Sequence, residues 1–347
     1  MSLEVFTTIA IVGATGAVGR EALAILAARG VPKERIVPLA SERSVGMCLP
    51  YGDDAVIVRA LTHEAVESCD AAIFAASADI AKEYGPRAAA KGVVVVDNSS
   101  AFRAHPDVPL VVPEINAQGI EGSNLIANPN CSTIIMLLAL EPLKRAFGVR
   151  EITVSTYQAV SGAGIEAVGE MYNQSREKLD AKKLISRVFA EPIAFNVFPH
   201  ESTMDPDTGL NGEESKMISE SRRIWADPSL RIFPTCVRVP VERAHSQAII
   251  VTLGEKVTKS QLVNAYEGAA GVSLADLKSG PPTPLKASGR DNVLVGRLRM
   301  DPSGDPYRIG LWACGDQLRK GAALNAIQIL DRKGLSGHST RCLRNAS

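Results

Sequence analysis

The stretch "ANPNCSTIIMLLAL", residues 127–140, puts a cysteine where a helix should begin. Its second half is apolar and free of Gly and Pro, which reads as a buried helix. Pro129 suits a first turn and Asn130 a cap, with Ser132 and Thr133 behind them. Cys131 then falls at or near the first helical position. Unpaired backbone N–H groups and the positive end of the helix dipole favour an anion there, and a thiol in that place ionises more easily. Two readings stand on the local sequence: a reactive thiolate, or the small buried hydrophobe that most free cysteines are.

A second chemical feature lies near the start. "IAIVGATGAVGREAL" places Gly13, Gly16 and Gly19 between an apolar strand and a helical pattern. Glycines so placed allow a tight turn and bring backbone N–H groups against a pyrophosphate at a helix N-terminus. The next strand, "RIVPLAS", runs into "ERSVG". NAD sites usually carry an acidic residue near that point to hold the ribose 2′-hydroxyl. Here Ser41, Arg43 and Ser44 offer two hydroxyls and a guanidinium, which suits a 2′-phosphate and predicts NADP. Strand alternation would turn Glu42 away from them.

These features need a scaffold. In 347 residues, a length that suggests two domains, "TTIAIVG", "RIVPLAS", "AVIVRAL", "AAIFAAS" and "GVVVVDNSS" read as buried strands separated by helices. That is the pattern of a parallel sheet, whose ligands bind at the strands' carboxyl ends. After Cys131 the texture changes. "REITVSTYQAVSGAG" and "SQAIIVTLGEKV" read as longer amphipathic strands, flanked by helices over "GIEAVGEMYNQSREKLDAKK" and "TKSQLVNAYEGAAG". "DQLRKGAALNAIQILDRKG" is an amphipathic helix, and "LSGHSTRCLRNAS" is expected to fray. The fold class expected is α/β: a Rossmann-type NADP-binding domain with a parallel sheet, and a second, α+β domain whose sheet has one covered face.

The balance of charge, 38 basic against 38 acidic residues, favours neither nucleic acid nor an anionic membrane. No apolar run approaches a membrane span, and "MSLEVFTTIAIVG" lacks the basic start and cleavage site of a signal peptide. The six cysteines form no C-x-x-C pair or Cys/His cluster, so no metal is expected, and a reducing, cytoplasmic setting is.

"GATGAVG", "LASERSVG", "DNSSAFR", "ANPNCST", "QAVSGAG", "AFNVFPH", "NGEESK", "CVRVPVERAHSQA" and "DQLRKGAALNAIQI" follow one another as they do in aspartate-semialdehyde dehydrogenases. The chain resembles that family from about residue 7 to 333. The resemblance implies NADPH-dependent reduction of L-aspartyl 4-phosphate to L-aspartate 4-semialdehyde and phosphate, a step towards lysine, threonine and methionine. It makes Cys131 the nucleophile, His245 the acid/base, with an imidazole near neutrality suiting that task, and Gln158 the residue that positions the intermediate. It assigns Arg238 to the substrate's α-carboxylate, Glu213 to its α-amino group, and Lys216, Arg103 and Asn130 to phosphate. Gly13, Thr15, Gly16, Ala17 and Val18 would line the pyrophosphate loop, Ser161 and Gly162 would approach the nicotinamide, and Asn325 would return to the cofactor. That return implies a discontinuous NADP-binding domain over 1–130 and 316–347, with a catalytic and dimerisation domain over 131–315, and a homodimer or homotetramer is implied.

On the residues themselves, Glu213 and Lys216 are three apart and share a helix side if that stretch is helical. Arg238 and His245 are an odd number apart and would face opposite ways on one strand, so Pro240 should mark a break. The nearest alternative is an N-acetyl-γ-glutamyl-phosphate reductase, against which a charged partner for an amine, Glu213, argues. A glyceraldehyde-phosphate-type dehydrogenase has no use for the "EESK" and "CVRVP" motifs. A non-catalytic dinucleotide-binding paralog would have lost the nucleophile. This chain departs from the family in "EESK", where an "EEWK"-like form is frequent, and in its tail.

Overall fold

The computed structural model describes residues 2–276 and 280–344; Asn345, Ala346 and Ser347 of the tail lie outside them. The chain divides into two units, Met1–Asn130 with Ala322–Ser347, and Cys131–Gly321.

The first unit opens on β1 (Ile9–Val12), four buried apolar residues, which turns through Gly13 into α1 (Ala17–Ala28). There follow β2 (Ile36–Ala40), β3 (Cys48–Tyr51), β4 (Asp54–Ile57), β5 (Arg59–Ala60), α2 (His63–Glu67), β6 (Ala71–Phe74), α3 (Ala78–Ala90), β7 (Val94–Asp97), α4 (Pro113–Asn116) and β8 (Leu125–Ala127). Six strands form one parallel sheet in the order β5-β2-β1-β6-β7-β8. The order reverses beside β1, so a crevice opens there at the strands' carboxyl ends. β1, β6 and β7 are buried along their whole length, as strands covered on both faces must be. "AVIVRAL" corrects the expected single strand: its first part, in β4, pairs antiparallel with β3, and only β5 joins the parallel sheet.

The second unit begins with α5 (Cys131–Phe147) and β9 (Val149–Gln158). It continues through α6 (Ile165–Leu179), β10 (Phe198–Pro199), α7 (Gly212–Ile224), β11 (Arg231–Arg238), β12 (His245–Leu253), α8 (Lys259–Asn264), β13 (Val272–Leu274), α9 (Pro284–Ala287), β14 (Val293–Met300) and β15 (Arg308–Gly315). The sheet is mixed, in the order β10-β11-β9-β12-β15-β14-β13. Its strands alternate: Ile152, Val154, Thr156 and Gln158 are buried, while Tyr157 is exposed and Thr153 and Ser155 are half-buried. α5 packs against β9, β12, β14 and β15, and α7 against β11 and α5, which covers one face as expected. Helix α8 stops short of its predicted length, ahead of Gly268 at φ +67. β14 and β15 carry no expectation from the sequence.

The chain returns to the first unit through α10 (Leu324–Arg344), which packs against the 3₁₀ turn Ser2–Val5, β6 and β7. A π turn over Arg319–Ala323 leads into it. The tail expected to fray continues this helix to Arg344.

Candidate active site

Cys131 is the first residue of α5, so Pro129 precedes the helix rather than entering its first turn. Three neighbouring strand ends carry the other buried polar groups, and one of them, His245, reaches it. Arg238 ends β11 and pairs in register with Gln158, which ends β9; Tyr157 pairs with Ser246, so His245 stands at the start of β12 on the other side of Gln158. The break expected at Pro240 is a loop over 239–244, and Arg238 and His245 therefore flank Gln158 from two different strands. All three side chains are at most 2% exposed.

Cys131 Sγ lies 3.5 Å from His245 Nε2. The backbone N–H of Ala159 donates to His245 Nδ1 at 3.0 Å. Burial first, then the charge of Arg238, pushes the imidazole down to about 3. This corrects the near-neutral imidazole of the sequence reading: the ring is held uncharged. Gln158 Oε1 accepts from Thr156 Oγ1 at 2.9 Å, and its Nε2 donates to Glu213 Oε1 at 3.2 Å.

Glu213 and Lys216 lie on α7, which Asn211 caps in a reciprocal box with Glu214. Lys216 Nζ reaches Glu213 Oε2 at 3.3 Å, so the two do share a helix side. Glu214 accepts from the backbone N–H of Cys236, tying the start of α7 to β11. Arg238 donates from Nη1 to Ala159 O at 2.7 Å, from Nη2 to Glu201 Oε1 at 2.6 Å, and from Nε to Glu201 Oε2 at 3.1 Å. Gly162 lies against these groups: a Cβ there would sit 3.3 Å from Arg238 Nη1 and 3.4 Å from His245 Cε1. Ser161 is tied down, its Oγ donating to Glu242 O and accepting from Gln317 Nε2. His200, Glu201 and Gln317, each inside a quoted motif or beside one, belong to this neighbourhood. Their roles come from loops whose course the sequence does not fix.

The dinucleotide features lie in the first unit. Gly13 has φ +81, and a Cβ on it would stand 2.3 Å from Ala75 O, just beyond β6; one on Gly19 would stand 2.3 Å from Gly13 O. Gly16 caps α1 without a side-chain hydrogen bond, and Thr15, Ala17 and Val18 are half-buried around it. This is a cradle shaped for a phosphate on a helix N-terminus. Ser41, Arg43 and Ser44 follow β2 at the same sheet end. Residues Glu42–Ser44 form a 3₁₀ turn, so the alternation argument that turned Glu42 away does not apply. Arg103 donates from Nε to Asn128 O and from Nη2 to Asn98 O. Asn130 is 5% exposed. Asn325 is fully buried, its amide donating to Val111 O and Asn128 Oδ1; it braces the strand leading to Asn130 rather than presenting that nitrogen to a ligand. Among the described residues no cluster of His, Cys, Asp and Glu could hold a metal ion.

A Rossmann-ordered sheet in one unit, and in the other a thiol at a helix start facing an imidazole at the start of a mixed-sheet strand, describe a dehydrogenase of the semialdehyde class. Residues 8–123 match the semialdehyde dehydrogenase NAD binding domain, and residues 140–320 the semialdehyde dehydrogenase dimerisation domain. Whole-chain likeness is narrower. The aspartate-semialdehyde dehydrogenase of Synechocystis sp. is 44% identical over 93% of this chain and 96% of that protein; that of Aquifex aeolicus is 42% identical over the same shares. A crystal structure of Vibrio cholerae aspartate semialdehyde dehydrogenase II complexed with ASA has a TM-score of 0.89 and 40% identity, covering 94% of this chain and 97% of that one. The chain belongs to the aspartate-semialdehyde dehydrogenase family. It is an enzyme, an oxidoreductase with a nicotinamide-dinucleotide domain, and this reading stands over the N-acetyl-γ-glutamyl-phosphate alternative.

Proposed function

We propose that the chain reduces L-aspartyl 4-phosphate to L-aspartate 4-semialdehyde and phosphate, with Cys131 as nucleophile. The observation that carries this is the 3.5 Å approach of Cys131 Sγ to His245 Nε2 at the start of a helix. Cys131 Sγ attacks the acyl carbon, the bond to phosphate breaks, and a thioester forms on sulfur. Gln158, a neutral amide, orients the acyl oxygen without titrating. As hydride adds, His245 Nε2–H donates a hydrogen bond to the oxygen of the reduced carbon and steadies the oxyanion of the tetrahedral adduct on sulfur. In the collapse that oxygen re-forms the carbonyl, the S–C bond breaks with its electron pair going to sulfur, and the aldehyde leaves with Cys131 as thiolate.

NADPH supplies the hydride when bound. Gly13, Thr15, Gly16, Ala17 and Val18 would hold its pyrophosphate, and Arg43 with Ser41 and Ser44 its 2′-phosphate. Ser161 serves that side by fixing the loop that carries Gly162. The charged groups of the substrate find counterparts in Arg238 for the α-carboxylate, Glu213 for the α-ammonium, and Lys216, Arg103 and Asn130 for phosphate.

A homodimer or homotetramer fits the dimerisation-domain match and the open face of the second sheet, which presents Phe233 and Tyr157, the latter against Trp312. A cytoplasmic setting fits the free thiols of the five described cysteines. No helix among the described residues is long and apolar enough to cross a membrane.

The test runs the reaction backwards with L-aspartate 4-semialdehyde, NADP and phosphate, following NADPH absorbance. Phosphate-dependent turnover that vanishes in Cys131→Ala supports the reading. Equal turnover of N-acetyl-glutamate semialdehyde, or an active Cys131→Ala protein, overturns it.

A further inference from the structure

Arg238 is 2% exposed, and a buried guanidinium needs an anion. In this structure the anion is Glu201. Its two oxygens take Nε and Nη2, the edge of the guanidinium that grips a carboxylate with two parallel bonds. Nη2 also stands 3.0 Å from His200 Nε2, and Nη1 donates to Ala159 O. Three N–H groups thus donate to oxygens, and both prongs of the Nε–Nη2 edge, the one an incoming carboxylate would grip, are among them.

One of these partners must yield. Ala159 O belongs to a fully buried residue whose N–H is fixed on His245. His200 is anchored by its backbone N–H to Cys236 O and by its ring to Ser202. Glu201 differs. Its side chain is about a third exposed (31%), and it sits on a bend between β10 and α7, so its carboxylate can turn into water.

We propose that Glu201 is a displaceable stand-in for the substrate's α-carboxylate: it neutralises Arg238 in the free enzyme and leaves when substrate binds. This rests on the reading that Arg238 is the α-carboxylate clamp. The exchange keeps Arg238 paired in both states. It also keeps the site from holding two carboxylates on one guanidinium, with Glu213 already nearby as a third. Only a ligand with its own anion can complete it, so the exchange selects for a charged α-carboxylate and lowers affinity by what releasing Glu201 costs.

The test is steady-state kinetics of the full chain with L-aspartate 4-semialdehyde. Glu201→Gln keeps the size but offers one acceptor in place of two charged ones. Its KM for the semialdehyde should fall about fivefold or more, because a charge-assisted bidentate pair no longer competes, while KM for phosphate and for NADP stays put. Glu201→Asp keeps the charge on a shorter reach and should fall between. An unchanged or raised KM in Glu201→Gln overturns the proposal, since a brace for Arg238 would give that sign. Loss of folding in both variants overturns it too. Arg238→Lys separates the underlying reading: if it leaves the semialdehyde KM unchanged, Arg238 is no clamp and that reading fails. If it raises that KM while Glu201→Gln does not lower it, only the stand-in role fails.

Discussion

The backbone N–H of Ala159 donates to Nδ1 of His245, and this fixes which end of the ring faces Cys131. With Nδ1 accepting, the neutral imidazole carries its proton on Nε2, pointed at sulfur. An imidazolium would set a second N–H against that of Ala159. The resting ring is therefore neutral with Nε2–H directed at sulfur, and His245 enters the reaction as a hydrogen-bond donor. His245→Asn should lower kcat/KM by about 10²- to 10³-fold, the cost of disturbing a donor aimed at a developing oxyanion. It should also slow iodoacetamide alkylation of Cys131, read on that peptide by mass spectrometry. Faster alkylation in the variant would reject the donor role.

The same burial shapes stability against pH. The folded ring sits at about 3, the unfolded one near 6.5. Between those values the unfolded chain binds a proton that the folded chain does not, so stability falls as pH drops below 6.5 and is unaffected above it. The slope is at most about 1.4 kcal/mol per pH unit for one group. His200, also lowered by burial, acts in the same direction and remains in the variant. Urea midpoints measured from pH 7 to 5 should decline less steeply in His245→Asn than in the unmodified chain; equal declines would count against a neutral buried His245.

Two glycines of one loop should fail differently. Gly13 at φ +81 cannot take a Cβ, which would overlap Ala75 O at 2.3 Å. Gly13→Ala should lower Tm as well as weaken NADPH binding. Gly16 has an ordinary φ of −75, and its Cβ would meet Gly13 O at 3.4 Å. Gly16→Ala should leave Tm nearly unchanged and raise the Kd for NADPH, because only the ligand's approach is obstructed. Unchanged NADPH affinity in both would mean the loop does not hold the cofactor.

Arg43 is exposed on the 3₁₀ turn after β2, with an acidic neighbour in Glu42. If the guanidinium holds a 2′-phosphate, Arg43→Ala should raise KM for NADP about tenfold and leave KM for NAD within about twofold, since only one of the two carries that charge. A parallel rise for both would place Arg43 on the shared part of the cofactor.

The parallel sheet was legible because its strands are short, apolar and buried on both faces, and because glycine punctuates the first turn. Cys131 was legible for a local reason: Asn130 and the apolar run behind it announce a helix start. The strand ends were not. Arg238 and His245 carry no local sign that they flank Gln158, since that depends on which strands of a mixed sheet become neighbours. "LASERSVG" misled in part, because a 3₁₀ turn replaced the extended chain assumed for Glu42. The pairing of Glu201 with Arg238, 37 residues apart, arises from an irregular segment with no periodicity to read.

Gln317 shows the same limit and leads to the last expectation. Ala244, just before His245, has φ +71, a conformation that costs an alanine about 1–2 kcal/mol. Its N–H donates to Gln317 Oε1 at 2.8 Å, while Gln317 Nε2 donates to Ser161 Oγ at 2.6 Å. One buried amide thus holds the entry to β12 and the loop bearing Gly162, which lies against the imidazole. Gln317→Ala would leave the Ala244 N–H buried without its acceptor, and the turn would relax. The expected result is a fall of roughly tenfold in kcat, with the semialdehyde KM within about twofold, because Arg238 and Glu213 are untouched. Gln317→Glu keeps an acceptor for Ala244 and should recover part of kcat. Wild-type kcat in Gln317→Ala would mean that the pairing of β12 with β9 and β15 suffices to aim His245.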